Sequence, residues 1–182
     1  MNDKLHTLPR HAASGSLLRK ATQPLLLVKD TPSPDYRNAL VLVDFSPSSD
    51  AALHAALRLA PRATVHLLHA FEVPFEGKLR LAGLGSDAVA QYRHRQHAQA
   101  LQRMDALLSE VQAERHRIRA VVEHGDIRLR APRAMQAIRP DLVAIGKHGS
   151  SMLQDLLLGS LTRLIVAEAQ SDVLVIPIGA AC

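Results

Sequence analysis

Two apolar runs separated by a glycine-containing loop, between Asp141 and Pro177, constrain the fold of this chain more than any other feature. The first run, Leu142 to Ile145, breaks at a glycine, and the second, Val173 to Ile176, ends at a proline. Neither run alternates between apolar and polar residues, which is typical of strands buried on both faces of a parallel sheet. The stretch therefore predicts a strand, a glycine loop, a helix and a second strand, that is, a βαβ unit.

The loop carries residues that suit an anion. Gly146, Gly149 and Gly159 precede the predicted helix, and Ser160 follows them. A glycine lets the backbone approach a ligand where a Cβ would block it. The first amides of a helix have no internal partner, and the helix dipole favours an anion there by about 0.3–1 kcal/mol. We predict Ser160 at the N-cap, where its hydroxyl can reach a phosphate oxygen. Each glycine alone equally fits an ordinary turn, but their spacing favours a phosphate-binding loop.

The pattern G-x2-G-x9-G-S resembles the signature of the nucleotide-binding branch of the universal stress proteins, and the match is complete. The resemblance covers about residues 38–178, because Ala39 to Val43 with Asp44, and Val65 to Ala70, are similar to the family's first two strands. It implies an open five-stranded parallel sheet with helices on both faces. It also implies that the chain binds ATP, with Mg²⁺ carried on the phosphates.

The resemblance assigns residues of this chain to two parts of a nucleotide. Asp44 and Ala70 would contact the nucleoside; the alternative for Asp44 is a helix N-terminal charge and nothing more. Six others would surround the phosphates and the ribose: Ile145, Gly146, Gly149, Gly159, Ser160 and Leu161. Lys147, inside the loop, could neutralise a phosphate or simply be solvated. We predict no protein ligand to a metal, since His94 and His97 share a helix face without a third ligand nearby.

Composition bounds the class of protein. With 182 residues, 47% hydrophobic and 21% charged, the chain fits one globular domain with an extension. Aromatic residues make up 3% and there is no Trp, so platforms for stacking single-stranded nucleic acid are scarce. The net charge of +5 suits acidic small molecules. A single cysteine excludes an intrachain disulfide, and no apolar run is long enough for a membrane span. We therefore expect a cytoplasmic protein.

The chain divides by pattern into an extension and linker (1–37), the domain (38–178) and a short tail (179–182). Leu17 to Lys29 matches Ile165 to Pro177 in order and without a gap: half a helix, a turn and a strand. This match predicts a remnant of a preceding repeat, the alternative being an ordinary leader with a stray apolar run. The resemblance implies a homodimer through the last strand, Val173 to Ile176. Leu25 to Val28 would prevent this by pairing with the same edge.

Two local signals predict where helices begin. Ser46 followed by Pro47 is typical of an N-cap and the first helical position. Pro132 interrupts the apolar pattern after Gly125 and Asp126, so we expect the helix there to begin late, near Pro132, or to be kinked.

Function follows from the loop rather than from a catalytic set. No Walker loop, Ser-His-Asp set or convincing carboxylate pair is visible, so no catalytic residue is predicted. The leading interpretation is an ATP-binding stress-response protein that acts as a nucleotide-dependent sensor or regulator. One alternative is a dimerisation or interaction module that has lost nucleotide binding. A second is a slow ATP-hydrolysing or phosphotransfer enzyme, with Ser160 as a candidate acceptor.

Overall fold

The structure, a computed structural model, describes residues 6–7, 18, 21–29, 35–73, 86–147, 159–177 and 179. The strands of this part of the chain form one sheet with the order β1-β2-β7-β6-β3-β4-β5. Their bounds are β1 (His6–Thr7), β2 (Leu25–Leu27), β3 (Asn38–Leu42), β4 (Thr64–Phe71), β5 (Ile118–His124), β6 (Leu142–Gly146) and β7 (Asp172–Ile176). β2 is antiparallel to β7 and every other pair is parallel. The predicted parallel five-stranded sheet, β3 to β7, is confirmed.

Helices cover both faces of the sheet. Their bounds are α1 (Pro47–Leu59), α2 (Ser86–Glu110), α3 (Ile127–Ile138) and α4 (Ser160–Glu168), and a 3-10 helix spans Gln112–Arg117. Apolar residues of α1 and α2 pack on one face and those of α3 and α4 on the other, which gives two separate core clusters. The unbroken apolar runs of β3, β6 and β7 fit this arrangement, because strands covered on both faces have no solvated side.

Both ends of α1 are held by side chains. Ser46 caps the start, and its hydroxyl and that of Ser49 form a reciprocal capping box, with Pro47 in the first turn as predicted. At the other end the Arg117 guanidinium donates to the carbonyls of Leu57, Ala60 and Ala63, at 3.0, 3.0 and 3.1 Å. The last carbonyls of a helix lack internal partners, so a cation there is favoured. Arg117 therefore joins the 3-10 helix to α1 and to the turn before β4.

The expectation that the third helix begins late is wrong. α3 begins at Ile127 and contains Pro132 in its interior. Asp126 is the N-cap, and its side chain accepts from the Arg128 amide at 2.8 Å. The helix is anchored on the sheet by Ala131, which is fully buried. Capping and packing thus outweigh the hydrogen bond that Pro132 cannot donate.

The extension covers the outer edge of the last strand. Leu25, Leu26 and Leu27 pair with Val175, Leu174 and Val173, and all three leucines are buried. The junction is reinforced by Lys29, whose amide donates to Asp172 Oδ1 at 2.8 Å and whose Nζ donates to the Val166 carbonyl at 2.6 Å. The sequence predicts a homodimer through the last strand unless Leu25 to Val28 occupies that edge. In the structure β2 occupies it.

Candidate functional site

A cavity of about 470 Å³ lies at the carboxyl ends of β3, β4 and β6, against the first turns of α1 and α4. Open α/β sheets commonly bind ligands at this edge. The cavity is lined by Leu42, Val43, Asp44, Ser49, Ala70, Ile127, Ile145, Gly146, Gly159, Ser160, Leu161, Thr162 and Arg163. Seven of the eight residues predicted from the sequence are among them. The eighth, Gly149, and its neighbour His148 lie outside the described residues. Whether these residues bind a nucleotide stays a prediction.

Sequence reasoning missed six of the lining residues. Leu42 and Val43 directly precede Asp44, and Ile127 follows a Gly-Asp pair that was noted without a role. Arg163 stands three residues after Ser160, on the same side of a helix, so helical spacing could have indicated it. Ser49 gives no signal in the sequence beyond its place in the first turn of α1.

Asp44 lies in a tight turn that fixes its carboxylate. The residue is exposed, and its Oδ1 accepts from the Ser46 amide at 2.9 Å. Phe45, between them, has φ +60°, a left-handed conformation that is rare for a residue with a large side chain. Such a conformation costs about 1–3 kcal/mol and persists where the surroundings impose it.

Contacts with Arg103 and His69 hold Phe45 in this left-handed conformation. The Arg103 guanidinium donates to the Phe45 carbonyl at 3.3 Å and lies 4.5 Å from the centre of the Phe45 ring, a cation–π arrangement. The His69 ring also contacts the Phe45 ring, with 4.4 Å between the ring centres, and its Nδ1 lies 2.8 Å from the Val43 carbonyl oxygen. Burial lowers the pKa of His69, so the neutral ring with its hydrogen on Nδ1 donates this bond. The end of β3 is thereby clamped next to the cavity.

Gly146 has a structural role that sequence reasoning did not foresee. A Cβ built on it would lie 2.6 Å from the Ser48 carbonyl carbon and from the Ser49 amide nitrogen. These are main-chain atoms of the first turn of α1, which packs directly on the end of β6. We expected a Cβ at Gly146 to block a ligand, but it would first overlap with the main chain of α1.

The start of α4 differs by one residue from the expectation. Gly159 is the N-cap and Ser160 is the first helical residue, so the prediction of Ser160 at the N-cap is wrong. Gly159 has extended backbone angles, φ −53° and ψ 146°, and no side chain of the described residues caps the helix. Its carbonyl accepts from the Arg163 amide at 3.1 Å. The first turn of α4 and the exposed Arg163 thus both line the cavity, where the helix dipole and the guanidinium favour an anion.

Lys147 is buried, with 7% of its surface exposed, so the interpretation of it as a solvated lysine is wrong. Its amide donates to the Ile176 carbonyl at 2.6 Å, which extends the pairing of β6 and β7 by one residue. Among the described residues, those that line the cavity do not include Lys147.

A second cavity, of about 640 Å³, lies at the opposite edge of the sheet, near the starts of β3, β6 and β7. Its acidic groups already serve the fold. Asp141 accepts from the amides of Arg37 and Asn38 at 2.8 and 2.7 Å, and Asp172 accepts from the Tyr36 hydroxyl at 2.7 Å. Burial and the neighbouring Asp172 raise the pKa of Tyr36 well above its usual range, so the hydroxyl stays a donor. This cavity is therefore a weaker candidate for a ligand site.

The described residues contain no group of three or more His, Cys, Asp or Glu side chains arranged to hold a metal ion. None of the helices described here combines the length and apolarity that a membrane crossing requires.

The fold and the cavity define an α/β protein with a candidate ligand site at the carboxyl edge of a parallel sheet. The family model "Universal stress protein family" matches residues 35–177, and the chain belongs to that family. The universal stress protein Rv2005c of Mycobacterium tuberculosis is 28% identical over 168 residues. That match covers 90% of this chain but 55% of the relative, so the chain spans about half the length of the curated relatives it matches.

Solved structures agree on the fold. UspA from Lactobacillus plantarum superposes with a TM-score of 0.64 at 23% identity, covering 79% of this chain and 99% of the other. A universal stress protein from Archaeoglobus fulgidus has a TM-score of 0.60 at 18% identity, covering 90% of this chain and 54% of the other. At these identities the similarity establishes a shared fold and leaves the ligand to be argued from the site.

Proposed function

We propose that this chain binds ATP with Mg²⁺ in the cavity at the carboxyl edge of the sheet, and acts in the cytoplasm as a nucleotide-dependent regulator of a stress response. One observation carries the proposal: residues selected from the sequence as nucleotide ligands line a single cavity. They come from β3, β4, β6 and α4, which are distant in the chain, so their convergence is not a consequence of proximity in the sequence.

The cavity fits the parts of a nucleotide in turn. Its volume of about 470 Å³ is within the usual range of ligand sites, roughly 300–1,000 Å³. Leu42, Val43, Ala70 and Ile127 offer an apolar wall for the base. The Asp44 carboxylate, already oriented by the Ser46 amide, can accept hydrogen bonds from ribose hydroxyls.

The phosphates would lie at the other wall. The first amides of α4 point outward from the helix, and their dipole favours negative charge. Arg163 supplies a guanidinium, which binds phosphate oxygens through two parallel hydrogen bonds. Bound Mg²⁺ would neutralise phosphate charge and keep most of its waters, which requires few protein ligands. Binding is the whole of the proposed activity, and no residue is assigned to hydrolysis.

The first test is the nucleotide content of the freshly purified protein. The protein is denatured, and any released nucleotide is identified by chromatography, in parallel with Gly159→Val. Gly159 lines the cavity, and valine can adopt its backbone angles, φ −53° and ψ 146°, so we expect a side chain there to obstruct the phosphate end, and a circular dichroism spectrum checks that the variant is folded. We expect ATP or ADP from the natural chain and none from the variant.

A charge-matched pair refines the test. Arg163→Gln should weaken ATP binding by about tenfold or more, because hydrogen bonds to charged groups contribute about 1.5–3 kcal/mol. Arg62→Gln removes the same charge from the turn before β4, where its ion pair with Asp35 is exposed, and should leave affinity unchanged. If no nucleotide is released and added ATP does not raise the melting temperature, the proposal fails. The interaction-module alternative would then lead.

A further inference from the structure

The outer edge of β5 is the starting point for an inference about assembly. β5 is the last strand of the sheet, and within the described residues it pairs only with β4. The Gly125 amide donates to the Phe71 carbonyl of β4 at 2.8 Å. Along a parallel pair, alternate residues direct both main-chain groups to the same neighbour. Residues 119, 121 and 123 therefore bond to β4, whereas Ala120 and Val122 direct their amides and carbonyls outward.

The side chains on one face of β5 are self-complementary. Arg119, Val121 and Glu123 alternate along the strand and share a face. Val121 is 48% exposed, an unusual position for a valine in a strand. A basic, an apolar and an acidic residue in this order match their own reverse when a second copy of the strand runs in the opposite direction.

We propose that β5 pairs antiparallel with β5 of a second copy of this chain, about a two-fold axis at Val121. In this register Val121 faces Val121, each Arg119 faces a Glu123, and each Ala120 faces a Val122. Ala120 and Val122 carry the outward groups, so they form the hydrogen-bonded pairs. Val121 and the charged residues occupy the non-hydrogen-bonded pairs, where side chains approach most closely. Main-chain pattern and side-chain pattern thus select the same register.

The surroundings limit how far this pairing extends. The Ile118 carbonyl accepts from the Arg115 guanidinium at 3.2 Å, and the His124 carbonyl accepts from that of Arg130 at 2.6 Å. The main-chain hydrogen bonds between the two copies are therefore limited to Ala120 and Val122, which predicts a weak dimer whose population depends on concentration. Glu123 also has an ion pair with Arg130 at 3.5 Å, and since the two side chains are only partly buried, this pair contributes about 1 kcal/mol or less. The edge of β7 does not offer an equivalent route while β2 of the same chain covers it.

Charge complementarity identifies the partner that pairs with the edge of β5. Charged residues on an edge strand usually prevent pairing. Here an in-register parallel pairing would oppose Arg119 to Arg119 and Glu123 to Glu123, whereas the two-fold antiparallel pairing opposes opposite charges. A second copy of the chain in this orientation is therefore the partner that the edge selects.

The test is sedimentation velocity of the full chain over a range of concentrations. Arg119→Glu creates two like-charge pairs per dimer and should weaken association by about tenfold or more. Adding Glu123→Arg to that variant restores the complementarity with the signs exchanged, and should recover association to within about threefold of the natural chain. Arg133→Glu on the exposed surface of α3 is the matched control and should leave it unchanged.

Circular dichroism spectra establish that each variant keeps its fold. Recovery by the double variant supports the β5 register, because a merely structural defect at Arg119 would not be repaired by a second charge change. The proposal is overturned if the natural chain stays monomeric at the highest soluble concentration. It is equally overturned if Arg119→Glu and Arg133→Glu behave alike, or if the double variant shows no recovery. Nucleotide content is measured separately, so failure here leaves the proposed function standing.

Discussion

The close approach of Gly146 to α1 makes Gly146→Ala a sharp probe of how the sheet and the site are joined. In the natural chain no atom occupies the Cβ position, and the added carbon would lie 2.6 Å from two main-chain atoms and 2.8 Å from the Ser48 oxygen. Ordinary contact begins near 3.4 Å, so the end of β6 and the first turn of α1 must separate. Overpacking of this kind costs about 1–3 kcal/mol.

The magnitude should fall at the upper end of that range. The obstructing atoms are backbone, which cannot change rotamer, and the turn is held by the Ser46–Ser49 capping box. We expect a loss of about 3 kcal/mol in the free energy of unfolding. For a chain of this length that lowers the melting temperature by about 6–12 °C. Because Ser46 also orients Asp44, ATP affinity should fall as well.

The assay is thermal and chemical unfolding followed by circular dichroism. Gly179→Ala is the control, since no atom of the described residues lies within 4 Å of its Cβ position and its φ of +75° opposes alanine by about 1–2 kcal/mol. Gly146→Ala combined with Ser48→Gly should stay as unstable as Gly146→Ala alone, because the contact is with the main chain. Natural stability in Gly146→Ala, or rescue by Ser48→Gly, would refute the reasoning.

Three further predictions follow from other contacts. Arg117→Ala should destabilise the chain by about 3 kcal/mol in urea titrations, because three carbonyls near the end of α1 lose a charged donor, whereas an effect below about 1 kcal/mol would contradict this role. Burial lowers the pKa values of His66 and His69, so the unfolded chain binds more protons near pH 6. Stability should therefore fall as the pH drops through the unfolded value of about 6.5 towards the lower folded values, and His69→Gln should flatten this decline in unfolding titrations from pH 8 to about 5. A chain lacking residues 1–30 exposes the edge of β7 and should dimerise more readily than the full chain; equal masses by light scattering would dismiss this.

Strong periodic signals predicted the framework of the fold. Unbroken apolar runs identified β3, β6 and β7, and Ser46 with Pro47 identified the start of α1, because burial and capping are determined by few residues. The helix containing Pro132 was placed too late, since a local penalty was weighed without the cap and the tertiary packing that offset it.

The site was predicted less completely than the fold. Glycine and serine spacing pointed to residues that do line one cavity. Arg163 was missed although its spacing from Ser160 places both residues on one side of α4, because packing decides which side of a helix lines a cavity. The close contact of Gly146 with Ser48 was missed for a similar reason: it joins elements almost a hundred residues apart, and only the assembled sheet brings them together. Long-range packing of this kind leaves no local pattern in the sequence.

The pairing of β2 with β7 has a symmetry that bears on how the chain can exchange parts. The match between Leu17–Lys29 and Ile165–Pro177 aligns Leu26 with Leu174, and these two residues face each other across the antiparallel pair. The two matched strands therefore meet about a local two-fold axis. A tethered strand binds without dependence on protein concentration. Transfer of β2 to the β7 edge of a neighbouring molecule would conserve each of these contacts. Two chains can therefore exchange this strand by domain swapping at little cost in free energy.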